Sequence, residues 1–393
     1  MASAAAVAGR RFPGSLRLLL DRRPGRLASP SAVILVSTAA LVVLGIVMVL
    51  SASSISAYTE YGSSFLFFRR QLLYAGIGIV CFAVAGRMPY ARWRDLAAPL
   101  LLSSLLLLVL VLVPSIGERA GGAARWIEMG PVTVQPSEFA KLAVIVFAAA
   151  MLAARWRRID DLRALALPLM PLVGLVGALI LLQPDLGTAV TLVIAVFVLL
   201  FTAGARLKHL IVGALGAGAL GFGLIFAEGY RWSRFVSFLN PWSDPQGSGY
   251  QSIQSLIALT SGGPFGVGLG ASRQKWLYVP NAHTDFIYSI IGEELGLFGN
   301  LLVLALFGAL IVAGIRIATR APDAFGRLLG AGIVGLIAVQ ALVNLGAVTG
   351  LLPITGVPLP FVSFGGSSLI VSMTAMGILT SIGRGRRSNA TRR

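Results

Sequence analysis

Runs of about twenty apolar residues recur along this chain, and they decide its solvent. They fall near 32–52, 71–87, 96–114, 137–154, 164–182, 187–204, 208–227, 295–315, 328–349 and 364–383. A helix of that length crosses the hydrocarbon core of a bilayer. With 56% hydrophobic residues, the chain is too apolar for a soluble globule. The expected fold is an all-α polytopic membrane protein with about ten transmembrane helices. A long structured extracellular loop, about 228–284, separates spans seven and eight.

The formal net charge of +17 would suit a nucleic-acid partner if it were spread over one surface. Its distribution says otherwise. An even number of spans puts both termini on one side. That side collects the N-terminal arginines, Arg87, Arg92, Arg94, Arg155, Arg157, Arg158, Arg163, Arg206, Lys208, Arg316, Arg320, Arg327 and the C-terminal arginines. The other side has Arg69, Arg70, Arg119, Arg125, Lys141, Arg231, Arg234, Arg273 and Lys275. The count is roughly 23 against 9, so both termini are expected in the cytoplasm, facing anionic lipid headgroups. Residues 1–31 read as a disordered cytoplasmic basic tail, 32–385 as the membrane domain and 386–393 as a cytoplasmic basic tail. A secretory signal is not expected, because the first apolar run is long enough to span. The lone Cys81 excludes a disulfide framework. His209 and His283 are too few to suggest a zinc site.

Outside the membrane, the polar residues gather in a few segments. Arg125-Trp126-Ile127-Glu128 follows a Gly-Gly turn, where Trp126 is either an interfacial belt residue or a platform for a sugar ring. Gln135-Pro136-Ser137-Glu138 reads as a helix start, with Lys141 one turn on, so an ion pair along the helix competes with a binding role. Gln183-Pro184-Asp185 is a tight turn in which Asp185 reads as a cap. The aromatic and basic alternation of Arg231-Trp232-Ser233-Arg234-Phe235 fits a short interfacial helix. The glycines from Gly262 to Gly270 have no strand–turn–helix context, which argues against a nucleotide fingerprint and for a compact turn. Inside the membrane, Gly213, Gly216, Gly218, Gly221 and Gly223 suggest either a closely packed span or a helix that can tilt or shift. The densest cluster is Ser272-Arg273-Gln274-Lys275-Trp276 followed by Ala282-His283-Thr284-Asp285-Phe286, where cations, a histidine and a carboxylate meet the membrane edge. Ionisable groups there mark a functional site.

These segments, together with Phe364-Gly365-Gly366-Ser367-Ser368, resemble in order and content the SEDS family of bacterial cell-wall polymerases, over roughly 32–385. The Ser-Arg-Gln-Lys-Trp and Ile-Gly-Glu-Glu-Leu-Gly runs are more similar to the division branch than to the elongation branch. One departure is Asn281, where members often carry glutamate, which implies that a carboxylate there is dispensable. The resemblance implies a peptidoglycan glycosyltransferase of the plasma membrane, active at the division septum. Its substrate would be lipid II, as donor and acceptor, and its partners a class B penicillin-binding transpeptidase and other division proteins. Asp285 would be the general base, since inversion at the anomeric carbon needs one base and no covalent intermediate. Arg273, Lys275, Arg231 and Arg234 are candidate pyrophosphate contacts. Trp126, Arg125, His283, Lys141 and Glu138 complete the candidate binding set. No cofactor is implied with certainty, and a divalent cation stays open. An elongation polymerase, a lipid II flippase and a non-catalytic division scaffold remain alternatives. Charges outside and apolar mid-spans favour chemistry at the surface over transport.

Overall fold

A serine and a proline start the described chain. In the computed structural model, which describes residues 29–120, 123–130, 132–156, 162–276 and 278–390, helix α1 spans Pro30–Tyr61. Ser29 Oγ accepts the backbone N–H of Ala32, and Pro30 sits in the first turn, where a missing N–H costs nothing. Gly62 closes the helix with φ 72°, its N–H donating to the Tyr58 carbonyl. The basic tail expected before α1 lies almost wholly outside the described residues.

Further helices follow: α2 (Leu66–Arg87), α3 (Ala91–Asp95), α4 (Ala97–Leu110), α5 (Pro136–Ala154), α6 (Leu162–Leu181) and α7 (Leu186–Ala203). Then come α8 (Leu207–Phe226), α9 (Gly229–Leu239), α10 (Tyr250–Ser261), α11 (Ile287–Thr319), α12 (Ala324–Val348) and α13 (Gly366–Ala390). Helices α1, α2, α5, α7, α8, α11, α12 and the Gly366–Gly385 part of α13 are long and apolar enough to cross a membrane. Helix α4 and the Leu169–Leu181 part of α6 are shorter apolar helices. The protein is an integral, nearly all-helical membrane protein. Helix α4 is shorter than its apolar run because the chain leaves the helix near Val111 and prepares a strand.

That strand departs from the all-α expectation. Between α4 and α5, β1 (Gly117–Ala120), β2 (Ala123–Met129) and β3 (Val132–Val134) form an antiparallel meander in the order β1-β2-β3. Glu118 pairs with Trp126, and Glu128 pairs with Thr133. Such a sheet is too small to stand alone. It is moored to the bundle by the Tyr74 hydroxyl, which accepts the Thr133 N–H at 3.0 Å, and by Ser367 Oγ, which accepts the Gln135 N–H at 2.8 Å.

The core lies among α5, α7, α12 and α13, whose buried faces are continuous. Helix α8 is the opposite case, with Leu210 its only buried residue. The glycine stripe expected to pack this span closely does not do so. A side chain at Gly213 would meet Phe197, but one at Gly216, Gly218, Gly221 or Gly223 would meet nothing within 4 Å. Small residues permit close approach without compelling it. Helix α9 folds back on the end of α8 through aromatic contacts, with Trp232 stacked on Phe226 at 4.5 Å between centroids.

Helix α11 is broken. Gly296 has φ 70° and ψ −164°, outside helical geometry. The Gly262–Gly270 turn wraps the break. Val267 and Gly268 donate their N–H groups to the Glu293 and Glu294 carbonyls at 2.9 and 3.1 Å. Leu297 and Phe298 donate to the Gly263 and Pro264 carbonyls at 2.9 and 3.2 Å. Irregular backbone in a membrane helix survives when other protein groups satisfy it. A Cβ at Gly296 would stand 2.3 Å from the Gly266 nitrogen, so only glycine fits.

Candidate active site

Asp285 lies two residues before α11, in a tripeptide whose backbone is pinned at every carbonyl. The His283 carbonyl accepts the Phe364 N–H at 2.9 Å. The Thr284 carbonyl accepts the Ser363 hydroxyl at 2.6 Å. The Asp285 carbonyl accepts Asn344 Nδ2 at 2.8 Å, and the same amide also donates to the Val357 carbonyl at 2.8 Å. Asn281 opens this stretch with φ 56°, a left-handed geometry that asparagine tolerates better than most residues. Glutamate, the residue members often carry there, has no such advantage.

The carboxylate itself is treated differently. It is half-buried and accepts no hydrogen bond among the described residues. Gly356, with φ 72°, faces it so closely that a Cβ there would sit 3.5 Å from Asp285 Oδ2. Burial pushes the Asp285 pKa up to about 6. Asp185 pushes the same way, while the charges of Arg234 and Arg125 pull it down. Arg125, Asp185, Arg234 and Asp285 thus form one electrostatic group drawn from β2, the α6–α7 turn, α9 and the loop before α11.

Local structure places each member. Arg125 donates from Nε to the Gln183 carbonyl at 2.9 Å and from Nη2 to the Pro184 carbonyl. It satisfies acceptors left free where α6 ends. Asp185 caps α7, accepting the Thr188 N–H at 3.0 Å. Tyr230 at the start of α9 donates to the Pro184 carbonyl at 3.4 Å, and the Arg231 and Arg234 guanidiniums lie 5.5 and 5.9 Å from its ring centre. Arg231 is further engaged by the Leu224 carbonyl at 3.2 Å, leaving Arg234 as the exposed cation of the pair.

The remaining candidates go elsewhere. Lys275 is buried and pairs with Glu294 at 3.5 Å while donating to the Gly270 carbonyl. Arg273 is exposed, and its backbone N–H donates to Glu293 Oε1 at 2.9 Å. Glu138 and Lys141 form a buried ion pair of 2.7 Å inside α5, extended by Lys141 to Gln340 Oε1 at 3.1 Å. His283 is boxed by Phe67 and Phe364, at 4.5 and 5.6 Å between ring centres. Burial lowers its pKa to about 4, so it is neutral, and its ring has no hydrogen-bond partner among the described residues. Trp126 is half-buried on β2, opposite Glu118, with Arg125 beside it at the irregularity in the β1–β2 register. Among the described residues, no group of three or more His, Cys, Asp and Glu side chains converges to hold a metal ion.

A family model described as FTSW_RODA_SPOVE, cell cycle protein, matches residues 31–388. The chain belongs to this family. It is 44% identical over 357 residues to stage V sporulation protein E of Bacillus subtilis, covering 91% of this chain and 97% of that protein. It is 45% identical over 364 residues to the probable peptidoglycan glycosyltransferase FtsW of Trichlorobacter lovleyi, covering 93% and 96%. Among solved structures, it resembles a chain described under "Structural coordination of polymerization and crosslinking by a peptidoglycan synthase complex". That match has a TM-score of 0.74 and 35% identity, covering 90% of this chain and 97% of the other. The rod shape determining protein RodA of Thermus thermophilus matches with a TM-score of 0.67 and 32% identity, covering 92% and 99%.

Within this FtsW/RodA/SpoVE chain, sequence reasoning passed over Asn344, Ser363 and Gly356 as parts of the site. Asn344 carried a usable signal, because an amide late in an otherwise apolar span is expensive unless it is bonded. Ser363 and Gly356 carried none, since their role depends on a loop returning from far along the chain.

Proposed function

We propose that this chain is an inverting peptidoglycan glycosyltransferase that polymerises lipid II into β-1,4 glycan strands at the division septum. The observation that carries the reading is Asp285: a backbone held at three successive carbonyls, a carboxylate without a hydrogen-bond partner among the described residues, and two arginines within electrostatic reach. Relatives named for this activity are similar over nearly their whole length. The end of the bundle bearing the loops faces the cell exterior in this reading, and the end bearing both described termini faces the cytoplasm, as the charge asymmetry supports.

The chemistry follows from the arrangement. The acceptor sugar's 4-hydroxyl gives its proton to Asp285 as its oxygen attacks the donor's anomeric carbon. The bond to undecaprenyl pyrophosphate breaks on the opposite face, so the α-linked donor yields a β-linked product. A carboxyl with a pKa of about 6 is ionised at neutral pH yet remains a better base than an ordinary carboxylate. Arg234, exposed on α9, and Arg125, at the turn, supply positive charge for the pyrophosphate as it departs. A pyrophosphate already leaves well, so positioning is the larger contribution.

The partner in this reading is a class B penicillin-binding transpeptidase, supported by the likeness to a chain from a complex that couples polymerisation with crosslinking. The test is reconstitution. Purified chain with that transpeptidase and lipid II gives a glycan ladder on a gel. A protein that moves lipid II across vesicles but makes no polymer would be a flippase, and the proposal would fall.

A further inference from the structure

The end of the bundle opposite Asp285 holds a feature that glycan chemistry does not use. A groove of about 380 Å³ opens toward the lipid between α1, α2 and α13. That volume lies within the range of small-molecule sites, about 300–1,000 Å³. Leu35, Phe82 and Ala83 make its walls apolar, and Gly86, Arg87 and Arg384 form its polar end. Arg384 lies across Gly86. A Cβ on that glycine would stand 3.2 Å from Arg384 Nη2, so the small residue makes room for the guanidinium.

Neither Arg87 nor Arg384 has a hydrogen-bond or ion-pair partner among the described residues. Asp323, an acid at this end, is already committed: it accepts the Tyr90 hydroxyl at 3.2 Å and caps α12 through the Gly326 N–H at 2.7 Å. Tyr90 in turn packs against Gly385. Two exposed guanidiniums, unpaired among the described residues, at one end of an apolar trough suit a ligand with an anion at one end and hydrocarbon at the other. A free phosphate would satisfy the arginines and leave the trough empty. A neutral lipid would fill the trough and leave the arginines unpaired.

We propose that this groove is a binding site for one phospholipid with an anionic headgroup, the phosphate held by Arg87 and Arg384 and an acyl chain lying along Leu35, Phe82 and Ala83. The site rests on the membrane fold and not on the proposed glycosyltransferase chemistry, so the two stand or fall separately. Basic clusters between transmembrane helices are a general way to hold acidic lipids.

Native mass spectrometry of the full-length, delipidated chain tests it, with dioleoylphosphatidylglycerol titrated as the probe and dioleoylphosphatidylcholine as the neutral control. Wild type is expected to bind the first phosphatidylglycerol saturably and at least tenfold more tightly than phosphatidylcholine. The Arg87→Gln/Arg384→Gln double variant should bind it roughly 30-fold more weakly, taking the usual contribution of each basic residue near a lipid surface. Ala83→Phe keeps both charges and fills the trough, and it should weaken the same first binding event. If the double variant is misfolded by its melting curve, the single Arg87→Gln change at an exposed position gives the charge arm. Undiminished binding by a folded charge variant overturns the site. So does undiminished binding by Ala83→Phe, which would mean diffuse surface attraction. Equal competition by glycerol 3-phosphate would show an anion site without a lipid and would also overturn it.

Discussion

Glu294 and Asp285 lie on either side of the start of α11, and their carboxylates live in unlike surroundings. Glu294 accepts the Ser51 hydroxyl at 2.6 and 2.8 Å, the Ser272 N–H at 3.4 Å and the charge of Lys275 at 3.5 Å. Its neighbour Glu293 takes the Ser272 hydroxyl and the N–H groups of Arg273 and Gln274. Both glutamates are saturated and buried. Asp285 has its carbonyl bonded and its carboxylate free among the described residues. The glutamates fasten the loop to the broken helix, and the aspartate is held at arm's length by that fastening. A group used for holding spends its lone pairs on protein. A group used for proton transfer keeps them for substrate.

That contrast can be broken at several points. The largest effect belongs to Asp285→Asn, which keeps shape and removes basicity. Polymerisation with the transpeptidase present should fall by about 10²–10⁴ while the melting temperature in detergent stays within a degree or two of wild type. Near-normal glycan ladders from a folded variant would remove Asp285 from the role of base. Glu294→Gln should reverse the pattern. It leaves Lys275 buried without its counter-charge, a loss of about 3–5 kcal/mol, so the melting temperature should fall sharply. An unchanged melting curve would mean that the loop is not fastened there. Ser272→Ala removes one hydroxyl from Glu293 and should cost about 1.5–3 kcal/mol, read from the same melt, with residual activity in the folded fraction.

The smallest effect is a pH profile. Asp285 must be ionised to accept a proton, and its pKa is raised to about 6, so turnover should fall about tenfold per unit below that value. The sign for stability is opposite. The folded chain binds this proton more tightly than the unfolded chain, so lowering the pH from about 6 toward 4 favours folding through this group. Activity lost in that window should therefore return fully on neutralisation. A flat rate from pH 7 to 5 would contradict the elevated pKa.

Much of this architecture could be read from the residues, for reasons that differ by element. The apolar runs coincide with helices because lipid allows the backbone little else. Asp285 stood out because a carboxylate beside a histidine at a membrane edge is rare. The meander of β1–β3 was hidden, since its strands are short and moored by Tyr74 and Ser367 from remote helices. Lys275 looked like a phosphate ligand because its sequence neighbours are aromatic and basic. Its partner Glu294 becomes adjacent only when the loop folds back on α11. His283 was ambiguous for a related reason: the rings that enclose it come from α2 and from the segment before α13. Contacts between segments distant in sequence leave no local pattern.

The break at Gly296 also has a bearing on how the chain is made. The segment that repairs it, Gly262–Gly270, leaves the ribosome before Gly296 does. When the two halves of α11 emerge, the backbone groups that will complete them are already waiting on the nascent chain. A chain cut between the glycine turn and Asp285 and supplied as two pieces would lose that order of arrival, even though every contact could still form.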